Sequence, residues 1–172
     1  HDGRGRAEPA RFNRFGLEIK PWRRDGRHVL VTTQSELFYR YRLGLSRDAW
    51  VADTIARLRS ASERPIRVCH KPIASRGADA AAGPGFEAAL AGAHALVTHS
   101  SSTAVKALLE GVPVFCTGAC AASRMGLEDL ARIESPHYPE DRAPWLWTLA
   151  ANQWTLAEMA DGTCWRELHG PR

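Results

Sequence analysis

The chain has 172 residues, of which 44% are hydrophobic and 24% are charged, and its formal net charge is +4. This length suits one domain with a substantial core. No apolar run approaches the roughly 18 residues of a membrane-spanning helix, and no signal peptide is visible, so we expect a cytoplasmic protein. Residues 1–76 hold 17 Lys or Arg against 8 Asp or Glu, which would attract an anionic partner such as nucleic acid or form a solvated face.

The four cysteines do not form a zinc motif. Only Cys116 and Cys120 lie close in sequence, and no second pair completes a ligand set. No other His, Asp or Glu cluster has the spacing of metal ligands. Disulfide frameworks belong mainly to small secreted domains, so we expect buried free thiols and no metal.

The pattern along the chain alternates between strands and helices. Residues 1–27 are polar and rich in arginine, which predicts a lead-in segment or linker, and residues 28–172 are predicted to form a single domain. Strands are predicted over 28–33, 66–70, 95–98 and 112–115 from short β-branched or apolar runs. Helices are predicted from Ser46 or Asp48 to about Ser60, over 86–91, after Ser102, near 127–133, over 144–151 and over 155–159.

This alternation predicts an α/β fold. Short, almost continuously apolar strands are typical of a parallel sheet covered on both faces. We therefore expect a Rossmann-like sheet of four to five strands, helices on both faces and a helical C-terminal tail. The loops that follow the strands would then meet at one sheet edge, where open α/β folds bind ligands. These loops are residues 34–36, 70–72, 99–102 and 116–118.

The most informative loop is His99-Ser100-Ser101-Ser102-Thr103. It follows a predicted strand and begins a helix, so its hydroxyls and backbone N–H groups would converge on one spot that favours an anion, usually phosphate. Serines before a helix are also ordinary helix caps, and that alternative stays open.

Three short motifs carry a resemblance to a known family. His99-Ser100-Ser101-Ser102 is similar to a Ser-Ser motif, His70-Lys71-Pro72 is an imperfect His-Pro motif with an inserted lysine, and residues 107–114 (ALLEGVPV) match an A-L-x-x-G-x-P-V segment. Together they resemble the C-terminal, donor-binding half of GT-B glycosyltransferases. The nearest type is the bacterial capsule-polysaccharide transferases that use activated Kdo or sialic acid.

The resemblance implies a nucleotide-sugar donor as co-substrate, with no metal or other cofactor. The acceptor would be a glycan, a lipid or a modified nucleic acid, and its domain would precede residue 28. His70 and His99 are the candidate catalytic residues, which would donate to the leaving phosphate, and His99 could instead orient the serine turn. The candidate substrate-binding residues are Gln34, Ser35, Lys71, Ser100, Ser101, Ser102, Thr103, Lys106, Thr117 and Gly118.

Two departures from the family pattern keep a second hypothesis open. Lys106 stands where these enzymes usually place an acidic residue that holds the nucleotide ribose. Residues 1–27 are too few to form the acceptor domain, so we expect either a fragment or a minimal protein that cannot work alone. Glu36, the one acidic residue in the loops, is a candidate for the base. The alternative is a non-catalytic α/β module that binds a nucleotide, phosphate or nucleic acid. The absence of G-x-G-x-x-G, G-x-x-x-x-G-K-[ST] and G-x-S-x-G argues against a dinucleotide dehydrogenase, a P-loop NTPase and an α/β-hydrolase.

Overall fold

The computed structural model describes residues 9–70 and 85–170. They group into two compact units, which are treated separately. One unit is residues 18–139 and the other combines the chain before residue 18 with the chain from residue 140 onward. The first unit contains the sheet and is called the α/β unit, and the second is called the helical unit.

The α/β unit contains a four-stranded parallel sheet in the order β2-β1-β3-β4. The strands are β1 (His28–Thr32), β2 (Ile66–Cys69), β3 (Ala93–Thr98) and β4 (Val114–Cys116). This confirms the predicted Rossmann-like sheet. The fourth strand begins at Val114 rather than Val112, because the Val112 N–H bonds the Ala107 carbonyl and completes the preceding helix end.

Helices precede, connect and follow these strands. They are α1 (Pro9–Asn13), α2 (Glu36–Leu43), α3 (Arg47–Arg59), α4 (Phe86–Leu90), α5 (Thr103–Leu109), α6 (Arg142–Ala151), α7 (Leu156–Ala160) and α8 (Thr163–His169). Residues 127–133, predicted as helical, contain only a short 3-10 turn at Leu130–Arg132, and another lies at Ser123–Met125. None of the helices in the described part of the chain has both the length and the apolar character to cross a membrane.

Both faces of β1, β3 and β4 are buried, whereas the edge strand β2 is partly exposed. One face packs against α2, α3 and the 3-10 turn at Leu130–Arg132. The buried cluster on this face includes Val29, Val31, Tyr39, Trp50, Leu58, Ala95, Val97, Phe115, Leu130 and Ile133. Successive strand residues point to opposite faces, so Leu30 and Leu96 point to the other side. There α4 and α5 contribute buried Leu90 and Leu108. Burial on both sides explains why β1, β3 and β4 are apolar along most of their length.

Helix α2 occupies a segment for which the sequence predicted no helix. Ser35 caps it, because its Oγ accepts a hydrogen bond from the Phe38 N–H at 3.3 Å. The helix lacks a clean apolar stripe, since Leu37 and Tyr41 are 63% and 83% exposed while Tyr39 is fully buried. This mixed pattern hides the helical period.

Residues 18–27 belong to the α/β unit and pass across the C-terminal end of α5. The Lys20 N–H donates to the Leu109 carbonyl at 2.8 Å, and the Arg23 N–H donates to the Gly111 carbonyl at 2.7 Å. Gly111 has a φ of +74°, and a Cβ there would lie 1.9 Å from the Pro21 carbonyl oxygen. Glycine is therefore required at this crossing both for its backbone angle and for space.

In the helical unit, Arg11 of α1 links this helix to α7. The two guanidinium nitrogens pair with the two carboxylate oxygens of Glu158, each at 2.8 Å, and the guanidinium lies 4.5 Å from the centre of the Trp154 ring. The Arg11 hydrogen bonds, together with those from Thr155, lower the pKa of Glu158 to about 2. Planar bidentate pairing of this kind is specific to arginine.

Candidate functional site at the carboxyl edge of the sheet

A cavity of about 380 Å³ lies at the carboxyl ends of the strands, between the segments that follow β1, β3 and β4. Its lining combines hydroxyl and amide groups with small or apolar side chains. It is formed by Gln34, Phe38, Ser100, Ser101, Ser102, Val105, Ala119, Cys120, Ala121 and Ala122. Within this described lining there is no Lys, Arg, Asp, Glu or His.

The position of the cavity follows from the strand order. The strand β2 lies next to β1 toward one edge of the sheet, whereas β4 lies next to β3 toward the opposite edge. The chain therefore leaves β1 and β3 in opposite directions. The loops after β1 and β3 therefore diverge and leave a crevice between them. This reversal is the topological switch point, where open parallel sheets generally bind their ligands.

Threonines at the ends of β1 and β3 fix the two loops. The buried Thr98 hydroxyl donates to the Thr32 carbonyl at 3.1 Å, and the hydroxyls of Thr32 and Thr103 lie 2.9 Å apart. Thr98 also accepts the Ser101 N–H at 3.4 Å. Thr103 thus ties α5 to β1, so its side chain supports the cavity from outside the lining.

The three serines of the turn have different roles. Ser100 Oγ accepts a hydrogen bond from Gln34 Nε2 at 3.3 Å, which links the loops after β3 and β1. Ser101 Oγ accepts the Thr103 N–H at 3.3 Å and so serves as a local turn contact. Ser102 occupies the cap position of α5 but makes no side-chain capping bond, and it lines the cavity. Helix capping therefore does not account for Ser100 and Ser102.

His99 lies beside the cavity and supports its wall. Its Nδ1 is 3.2 Å from the Thr117 hydroxyl, and its ring packs 5.8 Å from Phe38 and 6.5 Å from Trp50, measured between ring centres. A Cβ at Gly118 would lie 2.4 Å from the imidazole, so the ring packs directly on that backbone. Burial lowers the pKa of His99, which keeps the ring neutral near pH 7.

The other sequence candidates are dispersed. His70, at the end of β2, has its Nδ1 3.0 Å from the Thr33 hydroxyl and does not line the cavity. Lys106 forms an ion pair with Glu87 instead of reaching the cavity, and Val105 lines the cavity from α5. Glu36 pairs with Arg40 at 2.8 Å on the surface. Lys71 and Pro72 lie outside the described residues.

Sequence reasoning missed one wall of the cavity. Ala119, Cys120, Ala121 and Ala122 follow β4 and line it, but small apolar residues carry no recognisable chemical motif. Phe38 was missed because α2 was not predicted. The spacing of Cys116 and Cys120 was visible in the sequence, and it places one thiol in this wall.

All four cysteines are free thiols. Within the residues that the structure describes, no group of three or more His, Cys, Asp or Glu side chains is arranged to hold a metal ion. Comparison with protein-family models, curated proteins and solved structures found no match. The function is therefore inferred from the site itself.

Proposed function

We propose that this protein binds a nucleotide-activated sugar in the cavity and acts as the donor-binding module of a GT-B-like glycosyltransferase. The observation that carries the proposal is the position of the serine turn. Ser100 and Ser102 line a cavity at the topological switch point of a parallel sheet, facing Gln34 across the crevice. A crevice in this position with hydroxyl and amide donors suits a phosphorylated ligand.

The lining suggests how such a ligand would be divided between its polar and apolar parts. The hydroxyls of Ser100 and Ser102 and the amide of Gln34 can donate to phosphate oxygens. The apolar side chains of Phe38 and Val105 offer a wall for a base or a sugar ring. During sugar transfer the nucleotide phosphate leaves with negative charge, and preorganised donors stabilise that charge.

His99 would act here by positioning. It holds Phe38 on one side and rests on Gly118 on the other, so it fixes both the α2 wall and the segment after β4. The side chain of Lys106 forms an ion pair with Glu87, and Val105 is the residue of α5 that lines the cavity. The proposal thus assigns the ribose no carboxylate partner on α5, and the base that activates the acceptor would come from outside this lining.

Thermal stability and calorimetric binding with CMP-, UDP-, GDP- and dTDP-sugars would test the proposal. One nucleotide class should raise the melting temperature of the wild type. Ser100→Ala should weaken its binding about 5- to 10-fold, the usual cost of one lost hydrogen bond. Ser135→Ala is the matched control, since Ser135 is exposed in the same unit and does not line the cavity. If none of these nucleotide sugars raises the melting temperature, the proposal is overturned.

One observation favours the second candidate, a non-catalytic binding module. The described lining contains no acidic residue or histidine that could transfer a proton. A nucleotide that binds equally well with and without its sugar would support this candidate. Salt-sensitive binding of RNA or DNA, in the absence of any nucleotide response, would direct it toward nucleic acid.

A further inference from the structure

Two of the four free thiols are close together in the wall of the cavity. Cys116 is the last residue of β4 and is buried, whereas Cys120 is half-buried and lines the cavity. Their Sγ atoms lie 3.6 Å apart. Cys69 and Cys164, which are half-buried like Cys120, provide an internal comparison.

The surroundings of the two sulfurs differ in a way that separates their roles. A hydrogen bond from the Cys116 thiol, assisted by Ser123 and nearby backbone N–H groups, lowers the pKa of Cys120 to about 6 against the opposing effect of burial. The Ser123 hydroxyl lies 3.6 Å from Cys120 Sγ. The same sulfur–sulfur hydrogen bond, together with burial, raises the pKa of Cys116. Cys120 is also the more exposed of the two, faces the Ser123 hydroxyl and lines the cavity, whereas Cys116 is buried. These positions assign the thiolate to Cys120 and the protonated thiol to Cys116.

We propose that Cys120 is a peroxide-reactive thiol and that Cys116 resolves its oxidised form into a Cys116–Cys120 disulfide that remodels the cavity wall. In the first step the Cys120 thiolate attacks one peroxide oxygen, the O–O bond breaks, and hydroxide leaves and is protonated to water. In the second step the Cys116 sulfur attacks the Cys120 sulfenic acid, the S–O bond breaks, and its hydroxyl leaves as water with the Cys116 proton. Two thiols are thus oxidised by two electrons, and one hydrogen peroxide is reduced to two waters.

Formation of the disulfide would move the loop rather than the strand. The sulfurs must approach by about 1.5 Å from their 3.6 Å separation to reach bonding distance. Cys116 is held in the sheet, because its N–H donates to the Leu127 carbonyl at 2.8 Å. Cys120 is held by contacts within its own loop, in which its N–H donates to the Ser123 hydroxyl at 2.8 Å and its carbonyl accepts the Ser123 N–H at 3.2 Å. Cys120 would therefore be drawn away from the cavity toward β4.

Peroxide treatment followed by alkylation and tryptic digestion would test the thiol pair directly. Residues 107–124 form one tryptic peptide that contains Cys116 and Cys120 and no other cysteine. We expect this peptide to carry no alkyl group and to be lighter by two hydrogen atoms than the reduced, unalkylated peptide. After reduction of the disulfide and renewed alkylation, it should appear in its doubly alkylated form. A doubly alkylated peptide after peroxide treatment, or equally fast oxidation of Cys69 and Cys164, would overturn the proposal.

Two variants separate the roles of the thiols. In Cys116→Ser, whose hydroxyl can still donate a hydrogen bond to the Cys120 sulfur, the sulfenic acid on Cys120 should accumulate and be trapped by dimedone, because the resolving thiol is gone. In Cys120→Ser, which does not alter the core, Cys116 should stay reduced under peroxide. Dimedone labelling that is absent in the first variant, or oxidation of Cys116 in the second, would contradict the assignment.

The effect on ligand binding rests on the proposed function, so it is measured separately. We expect the disulfide form to bind the stabilising nucleotide sugar at least several-fold more weakly than the reduced form. If the disulfide forms but neither the reduced protein nor the disulfide form binds a nucleotide, only the proposed function is overturned. Nucleotide binding by a protein whose thiols do not respond to peroxide would overturn only the thiol pair.

Discussion

The side-chain amide nitrogen of Gln34 lies 3.3 Å from the hydroxyl oxygen of Ser100, although the two residues are 66 positions apart in the chain. One follows β1 and the other follows β3, so this contact joins the two loops that diverge at the switch point. Both side chains also line the cavity. The hydrogen bond therefore orients two ligand-facing groups relative to each other before any ligand binds.

This contact makes the two residues energetically dependent on each other. We expect Gln34→Ala and Ser100→Ala each to weaken nucleotide binding about 5- to 10-fold, the order of one hydrogen bond. The double variant should lose less than the product of the two effects, because each single change already releases the partner. Calorimetric titration of the four proteins in a double-mutant cycle measures this, and strictly multiplicative losses would contradict the coupling.

Gly111 allows the 18–27 segment to cross the end of α5. In Gly111→Ala the new Cβ would meet the Pro21 carbonyl oxygen at 1.9 Å on a backbone with φ +74°, and we expect a loss of about 3 kcal/mol or more in the free energy of unfolding. Gly92→Ala is the matched control, since Gly92 also has φ +74° but no atom within 4 Å. Its loss should be only about 1–2 kcal/mol. Urea denaturation compares the two, and equal losses would show that the crossing does not constrain residue 111.

His28 should make stability depend on pH. Its ring is buried with Nε2 2.8 Å from the Ala89 carbonyl, and burial, with smaller contributions from Arg67 and Arg23, lowers its pKa in the folded state. Below about pH 6.5 the unfolded chain takes up this proton more readily than the folded one, so the free energy of unfolding should fall as the pH drops. Urea denaturation between about pH 7.5 and about pH 5 measures this trend.

Two variants separate the effect of the buried His28 from the general loss of stability at low pH. His28→Gln should reduce the slope of stability against pH, because the buried titrating ring is gone. His137→Gln changes an exposed histidine in the same unit, and its slope should match the wild type. If both variants keep the wild-type slope, burial of His28 is not a source of the pH dependence.

The reactivity of Cys120 should differ from that of Cys69. Because the pKa of Cys120 is lowered to about 6, its alkylation rate by iodoacetamide should rise through that pH and level off near pH 7. Burial raises the pKa of Cys69, so its rate should still be rising at alkaline pH. Peptide mass spectrometry of partly alkylated protein gives both rates, and parallel pH profiles would contradict the assignment.

The sequence predicted the parallel sheet because strands buried on both faces leave a simple apolar pattern. The serine turn and Gln34 were predicted because hydroxyl and amide groups directly after strands are visible without knowing how helices pack. Lys106 was proposed as a site residue from sequence position alone. Its side chain lies on the exposed side of α5, because Ala104, Ala107 and Leu108 are the residues that this short helix buries.

The remaining wall of the cavity could not be predicted for two physical reasons. Helix α2 exposes Leu37 and Tyr41, so its periodicity does not indicate which residues face inward. The segment of small residues after β4 contributes backbone shape rather than recognisable side-chain chemistry. Its place in the site depends on the strand order, which the sequence pattern does not specify.

The central claim is that the cavity at the switch point is the ligand site. Titration of isotope-labelled protein with CMP, UDP, GDP and dTDP, followed by two-dimensional amide NMR, tests it most directly. We predict that one nucleotide shifts a contiguous set of amide signals from Gln34, residues 100–102 and residues 119–122, and that Ser100→Ala weakens the response. Saturating nucleotide that leaves these signals unmoved, or that shifts a set elsewhere in the chain, would contradict the account.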